Sequence, residues 1–100
     1  MATYMLLTKV SAESMSSPEK LKELEAAVKK KVAKHCPQVK WVASYAVLGP
    51  YDYLDVVEAP DILTASKVAT IIRSFGHATT ETWGAIPWNE FKQTLTELKS

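Results

Sequence analysis

The spacing of apolar residues along the chain predicts four strands and three helices. Period-two stretches rich in β-branched and aromatic residues predict the strands, and apolar residues recurring every three or four positions predict the helices. The strands are predicted at Thr3–Val10, Val39–Leu48, Tyr51–Ala59 and His77–Ile86, and the helices at Pro18–His35, Ile62–Phe75 and Trp88–Lys99. Ser17 and Asp61 are the residue types that cap helix N-termini, and Gly76 is the type that ends a helix. Residues Ser11–Ser17 are predicted to form a polar connection, and Ile62 is predicted to begin the buried stripe of the second helix.

This order, β-α-β-β-α-β followed by a closing helix, is the ferredoxin-like split βαβ plan. Right-handed crossovers would place the first and third strands in the centre of the sheet and the second and fourth at its edges. The sequence therefore predicts an α+β fold with a four-stranded antiparallel sheet, the first two helices on one face, and a C-terminal helix. A length of 100 residues predicts one domain spanning residues 1–100.

The predicted strands are apolar on both sides. In the first strand, Tyr4 and Leu6 share one face while Met5 and Leu7 share the other. The helices can cover only one face of such a sheet, and a large exposed apolar face is unusual in a monomer. We therefore expect two copies of the chain to pack their open sheet faces together as a homodimer, with a higher oligomer also possible.

Composition narrows the classes of partner. The net charge of +1 lacks the basic excess of a nucleic-acid-binding domain. No apolar run reaches the ~20 residues of a membrane span, and the N-terminus lacks the features of a signal peptide. A single cysteine, Cys36, excludes an internal disulfide and suits a reducing compartment. We expect a cytoplasmic protein that binds neither nucleic acid nor membrane.

A set of short motifs, in the same order over nearly the whole chain, resembles the GYD-domain family. They are Ala2-Thr3-Tyr4, Leu7-Thr8-Lys9, Leu48-Gly49-Pro50-Tyr51-Asp52, Val57-Glu58-Ala59-Pro60-Asp61, Thr80-Glu81-Thr82 and Ala85-Ile86-Pro87. The resemblance implies a fold of the dimeric α/β-barrel type and carries no reaction to this chain. That superfamily includes cofactor-free monooxygenases, lactone isomerases, haem enzymes and amino-acid-sensing domains, and a fold alone does not choose among them.

Two residues are candidates for acid–base chemistry. Asp55 lies mid-strand among apolar residues, where a carboxylate must be paired, hydrogen-bonded or protonated. If it faces a cleft, burial should raise its pKa and suit it to proton transfer; the alternative is a structural pair across the dimer. His77 is the histidine best placed for a cleft, and its alternative is a solvent-facing position at a helix end.

Several polar and aromatic residues are candidates for ligand binding. They are Tyr45, Tyr51, Tyr53, Glu81 and Trp83. Aromatic rings with a few polar groups suit a ligand cavity, and they equally suit a dimer core. With two histidines, one cysteine and no chelating spacing, we expect no metal, and we expect no cofactor.

The sequence leaves three functions open. The first is a homo-oligomeric domain that binds a small molecule. The second is a cofactor-free enzyme, an isomerase or a monooxygenase-like protein, that acts on a small organic acid, phenol or lactone with Asp55 or His77 as proton acceptor. The third is a structural assembly module. An enclosed cavity that holds a titratable group would favour the first two.

Overall fold

The computed structural model describes residues 1–99, and these contain four strands and four helices. The strands are β1 Ala2–Val10, β2 Lys40–Ala46, β3 Tyr53–Ala59 and β4 Ala78–Ala85. The helices are α1 Ala12–Met15, α2 Pro18–His35, α3 Ile62–Ser74 and α4 Trp88–Glu97. None of the helices within residues 1–99 is both long and apolar enough to cross a bilayer.

The four strands form one antiparallel sheet in the order β2-β3-β1-β4. The central strands are β1 and β3, as predicted, and Leu6 of β1 lies opposite Asp55 of β3 and Thr82 of β4. The register of β2 on β3 shifts between Trp41 and Ala43. This arrangement confirms the ferredoxin-like α+β fold.

Capping side chains fix the starts of the two long helices. The Ser17 hydroxyl accepts a hydrogen bond from the Lys20 N–H, and Pro18 occupies the first turn of α2. The Asp61 carboxylate accepts from the backbone N–H and the hydroxyl of Thr64, each at 2.8 Å, and these bonds lower the pKa of Asp61. Both caps agree with the sequence pattern.

The core lies between α2, α3 and one face of the sheet. Its fully buried sheet residues are Leu6, Val57 and Ala59, and the helices meet them with a set of small and branched side chains. Those helix residues are Val28, Val32, Ala65, Val68, Ile71 and Ile72. Cys36, at the end of α2, joins this cluster and is 2% exposed. Branched side chains of this kind pack closely against a pleated surface.

The structure corrects three details of the prediction. The predicted connection after β1 contains α1, a four-residue helix that Ser11 caps, and one helical turn is too short to show periodicity. Ile62, predicted to be buried, is 70% exposed because it precedes the turn of α3 that meets the sheet, where Ala65 is fully buried. Tyr51 lies in a loop, since β3 begins at Tyr53.

The opposite face of the sheet carries apolar residues that the helices do not cover. Leu7 is buried there, while Met5, Leu54 and Val56 are only partly covered. Trp83, opposite Met5, is 51% exposed. We call this surface, with Tyr45 opposite Leu54 on β2, the open face. The prediction that both faces of the sheet are apolar is confirmed.

Helix α4 extends away from the core. None of its ten residues is buried, although Phe91 and Leu95 lie on one side of it and Leu98 follows at its C-cap. The rings of Trp88 and Phe91 approach to 5.8 Å between centroids. The chain therefore presents an amphipathic helix with an uncovered apolar side.

Candidate functional site

A cavity of about 360 Å³ lies between α2 and the end of the sheet where β1 finishes and β3 begins. We call it the α2 cavity. From the sheet it is lined by Thr8, Val10, Trp41, Ser44, Tyr45, Ala46, Tyr53, Asp55 and Ala78, and from the helices by Leu21, Lys22, Leu24, Glu25, Val28, Lys29 and Ile72. Its volume falls in the range of roughly 300–1,000 Å³ that is typical of ligand sites.

Small side chains leave this space open. Strands β2 and β4 contribute Ser44, Ala46 and Ala78 to the cavity wall. Toward the other end of the same face, Tyr4, Val57 and Ala59 fill the volume beneath the helices. The cavity therefore follows from the sizes of the residues at each end of one sheet face.

Asp55 is the carboxylate within this cavity. Its register with Leu6 and Ser44 places it on the helix-covered face of the sheet. The sequence had not shown which of the two faces of β3 meets the helices. Burial raises the pKa of Asp55, and the nearby charge of Glu25 adds to the rise, while the Ser44 hydroxyl and the positive charge of Lys29 oppose it. A half-buried carboxylate of this kind suits either a polar ligand contact or proton transfer.

An ion pair on α2 stands at the rim of the cavity. Lys29 Nζ lies 3.6 Å from Glu25 Oε1 and 5.8 Å from the centroid of the Trp41 ring. Both charged side chains are well exposed, so their pairing contributes little stability. The rim of the cavity therefore carries one charge of each sign at this point.

The hydroxyl of Tyr53 responds to negative charge at the cavity mouth. Its pKa is raised first by burial and then by the carboxylates of Asp52 and Glu25. Two carboxylates from different parts of the chain therefore act on one side chain of the cavity wall.

Asp52 connects the loop before β3 to the end of β1 at the mouth of the cavity. Its Oδ2 accepts a hydrogen bond from the Val10 N–H at 2.8 Å, and its own N–H donates to the Thr8 carbonyl at 2.9 Å. These bonds tie the loop between β2 and β3 to the end of β1, so the two walls of the mouth keep a fixed spacing.

His77 lies elsewhere. It directly precedes β4, is exposed, and borders a separate hollow with Glu13, Glu23 and Phe75. Its backbone carbonyl accepts a hydrogen bond from the Ser11 N–H at 2.8 Å. The structure therefore does not bring His77 and Asp55 into one site.

The five predicted ligand residues are divided among three places. Tyr53 lines the α2 cavity, and Tyr45 borders it while its register with Leu54 puts its side chain on the open face. Glu81 and Trp83 also lie on the open face, where Trp83 Nε1 donates to Glu81 Oε1 at 3.1 Å. Tyr51 is half-buried in the loop before β3.

Sequence reasoning missed the cavity residues that carry no unusual pattern. Thr8 and Ser44 are small polar residues in strands, and Glu25 and Lys29 follow the common i,i+4 charge spacing of a surface helix. The sequence did not mark Ser44, because the register shift between Trp41 and Ala43 that puts Ser44 on the same face as Trp41 is seen only in the structure. Within residues 1–99, no group of three His, Cys, Asp or Glu side chains is placed to hold a metal ion.

The fold and the cavity define the class of this protein. It is a ferredoxin-like α+β protein with a ligand-sized space between its helices and its sheet. The GYD domain model matches residues 4–95, and the chain belongs to the GYD-domain family.

Similar proteins come from thermophilic and mycobacterial sources. A Thermus thermophilus protein named glutamine synthetase and cystathionine beta-lyase binding protein is 36% identical over 91 residues, which are 87% of this chain and 90% of the relative. A crystal structure of a Thermus thermophilus protein matches with a TM-score of 0.61 and 27% identity, over 87% of this chain and 95% of that one. The Mycobacterium tuberculosis leucine response regulatory protein shares the fold at 14% identity and a TM-score of 0.55, over 86% of this chain and 51% of that one.

Proposed function

We propose that this protein is a homodimeric binding protein that holds a small organic molecule in the α2 cavity. The observation that carries the proposal is a half-buried carboxylate, Asp55, in a wall made mostly of apolar side chains. Ligand sites typically combine such a wall with a few well-placed polar groups. The single cysteine, Cys36, supports placing this function in the cytoplasm.

The ligand site can be tested by filling the cavity. Ala46 lines the α2 cavity opposite Tyr53, so Ala46→Phe would occupy the space with a ring. Ligand-observed NMR with a library of small organic amines, acids and alcohols should detect binding to the unaltered protein and lose it in Ala46→Phe. Ala33→Phe, on the exposed side of α2, is the matched control and should bind as the unaltered protein does. Equal binding by both variants would contradict the proposal.

The open face supports the dimer. An apolar surface extends over β3, β1 and β4 and includes Leu54, Val56, Met5 and Trp83. Packing a second sheet against this surface would remove it from water. Val56→Glu would place a charge in that interface and should convert a sedimenting dimer into a monomer at micromolar concentration. Thr70→Glu, on the exposed side of α3, is the control. A monomeric unaltered protein would refute the dimer.

A catalytic version of this proposal assigns proton transfer to Asp55. The substrate would be a small organic acid, phenol or lactone bound in the α2 cavity, and His77 would act only in its own hollow. Turnover that survives in Asp55→Asn and disappears in His77→Gln would move the chemistry out of the cavity. A protein that binds ligand without turnover would retain the binding proposal alone.

A second candidate function is binding to another protein. Two observations favour it: the similar Thermus thermophilus protein is named for binding two enzymes, and α4 presents Trp88, Phe91 and Leu95 to solvent. The test mixes the purified protein with Thermus glutamine synthetase or cystathionine beta-lyase and measures complex formation by sedimentation. Phe91→Glu should abolish the complex, and Gln93→Glu on the same helix is the control. A dimer that binds neither ligand nor enzyme would be a structural assembly module.

A further inference from the structure

We propose that the occupant of the α2 cavity is a small organic cation, with an apolar body and a protonated amine or similar group that lies against Asp55. This assignment rests on the proposed small-molecule site and adds the charge and the shape of its occupant. Four observations lead to it: the depth of the carboxylate, the pairing of the lysine at the rim, the charge at the mouth, and the apolar wall.

The innermost charge of the cavity is negative. Four residues that are charged at neutral pH line the cavity. Asp55 is half-buried, while Glu25, Lys22 and Lys29 lie exposed on α2. Charges at an exposed rim are screened by water, whereas a buried carboxylate is screened less. A ligand that enters the cavity therefore meets a carboxylate at its inner end.

Within residues 1–99 Asp55 forms no ion pair, although the charge of Lys29 reaches it and opposes the rise of its pKa. The two ion pairs among the described side chains join Lys29 to Glu25 and Lys40 to Glu58, and neither includes Asp55. Asp55 faces the Ser44 hydroxyl, which offers one hydrogen bond to a group that can accept several. A cation placed beside a half-buried carboxylate favours its charged form, so Asp55 can take a ligand cation as a further partner.

The same geometry disfavours an anion. A ligand carboxylate would meet Lys22 and Lys29 only at the exposed rim, where Glu25 lies 3.6 Å from Lys29 Nζ, and the innermost charge that it would face is Asp55. At the mouth, burial raises the pKa of the Tyr53 hydroxyl, and the negative charges of Asp52 and Glu25 raise it further. An entering anion would pass charges of both signs at the rim and stop against the carboxylate of Asp55.

The remainder of the wall selects an apolar body. Val10, Leu21, Leu24, Val28 and Ile72 give the cavity aliphatic sides, and Tyr53 adds an aromatic ring near Asp55. Burial of apolar ligand surface contributes roughly 25 cal/mol per Å², and aromatic faces attract cations. The structure therefore favours an amphipathic amine over a sugar, a nucleotide or a free phosphate.

The test uses three probes with one carbon skeleton. They are 3-phenylpropylamine, 3-phenylpropionate and 3-phenylpropan-1-ol, each titrated into the dimer or monomer as purified and followed by two-dimensional NMR at pH 7. A hydrogen-bonded charge pair adds roughly tenfold or more in affinity. We expect the amine to bind about tenfold more tightly than the alcohol and the acid to bind most weakly, with shifts at Asp55, Ser44 and Tyr53.

Two variants complete the test. Asp55→Asn keeps the shape of the cavity and should reduce amine binding to the level of the alcohol while the alcohol is unaffected, which also shows that the variant is folded. Ala46→Phe should abolish binding of all three probes. If the acid binds most tightly, the proposal of a cationic ligand is wrong, and the proposal that the α2 cavity binds a small molecule stands. If amine and alcohol bind equally, the charge assignment is also wrong. If no probe binds at millimolar concentration, both proposals fall.

Discussion

The two ends of the helix-covered sheet face differ in what occupies the space beneath the helices. At one end Val57 and Ala59 are fully buried in a cluster with Ala65 and Val68, and Leu6, which lies opposite Asp55, closes this core at its border with the cavity. At the other end the same strands present Thr8, Tyr53 and Asp55 to a cavity of about 360 Å³. One pair of antiparallel central strands thus passes from a closed core to an open cavity within a few residues.

The contrast distinguishes the packed core that stabilises the fold from the cavity end, where the fold can hold a half-buried carboxylate. A core at one end is enough to hold both helices on the sheet, because burial of apolar surface is the main favourable term in folding. The other end is then free to carry a carboxylate that costs stability. Residues that weaken a fold and remain half-buried are common at functional sites.

The largest expected effect comes from truncating the closed end. Leu6→Ala should lower the free energy of unfolding by about 3 kcal/mol, because it leaves a void among fully buried neighbours. Leu21→Ala, the same change in the cavity wall, should cost only about 1 kcal/mol because Leu21 is partly exposed. Urea denaturation measures both. Equal losses would show that the cavity end is packed as tightly as the core.

A smaller loss is expected from the Asp52 clamp. Asp52→Ala leaves the Val10 N–H without its acceptor and should cost about 1–2 kcal/mol. Hydrogen exchange should quicken at Val10 and Ser11 and stay unchanged at Leu6. Glu58→Ala, which removes an exposed pair with Lys40, is the control and should change stability by less than about 0.5 kcal/mol. Faster exchange at Leu6 would mean that the two ends do not open independently.

Asp55→Asn should stabilise the protein at neutral pH. Because burial raises the pKa of Asp55, the folded chain binds more protons than the unfolded chain between the ordinary and the raised pKa. The free energy of unfolding therefore falls as the pH rises through that window, and the asparagine variant escapes this loss. We expect a higher Tm at pH 7, on the order of a few degrees, and a smaller difference in acid. A lower Tm at pH 7 would indicate that Asp55 is structurally paired.

The smallest effect is a shift in the titration of Tyr53. In protein with carbon-13 at the tyrosine ring, Tyr53 should ionise above the usual pH range, and Asp52→Asn should bring its pKa back toward that range. Stability at pH 7 should change little beyond the loss of the clamp. If the pKa of Tyr53 is the same in Asp52→Asn as in the unaltered protein, the charge of Asp52 does not act at the cavity mouth. It would then give no support to the choice of a cationic ligand.

Much of the fold follows from local features of the sequence. Ser17 and Asp61 mark helix starts because their side chains accept hydrogen bonds from the N–H groups of Lys20 and Thr64, within one turn, which is why those boundaries were predicted correctly. The sheet order followed from the element order and from the handedness of crossovers. The open apolar face followed from the two-sided pattern of β1.

The site depended on contacts between distant residues. A mid-strand carboxylate marked Asp55 in the sequence, but β3 is apolar on both sides and so its pattern does not show which side meets the helices. The cavity is lined by Ser44 and Ala46 of β2 and by Ala78 of β4, which lie on opposite edges of the sheet, and none of these residues is unusual by itself. The sequence also could not show that His77 and Asp55 lie in different hollows. That result depends on how the helices pack on the sheet.

The position of Cys36 gives the protein a chemical reporter of its own unfolding. It is the one thiol of the chain, and at 2% exposure an alkylating reagent reaches it only when the core opens. When opening is fast relative to alkylation, the modification rate follows the population of opened molecules. A ligand that binds only the native state lowers that population by the factor 1 + [L]/Kd. Mass spectrometry of the unaltered chain can therefore measure ligand affinity through the rate at which a distant sulfur is modified.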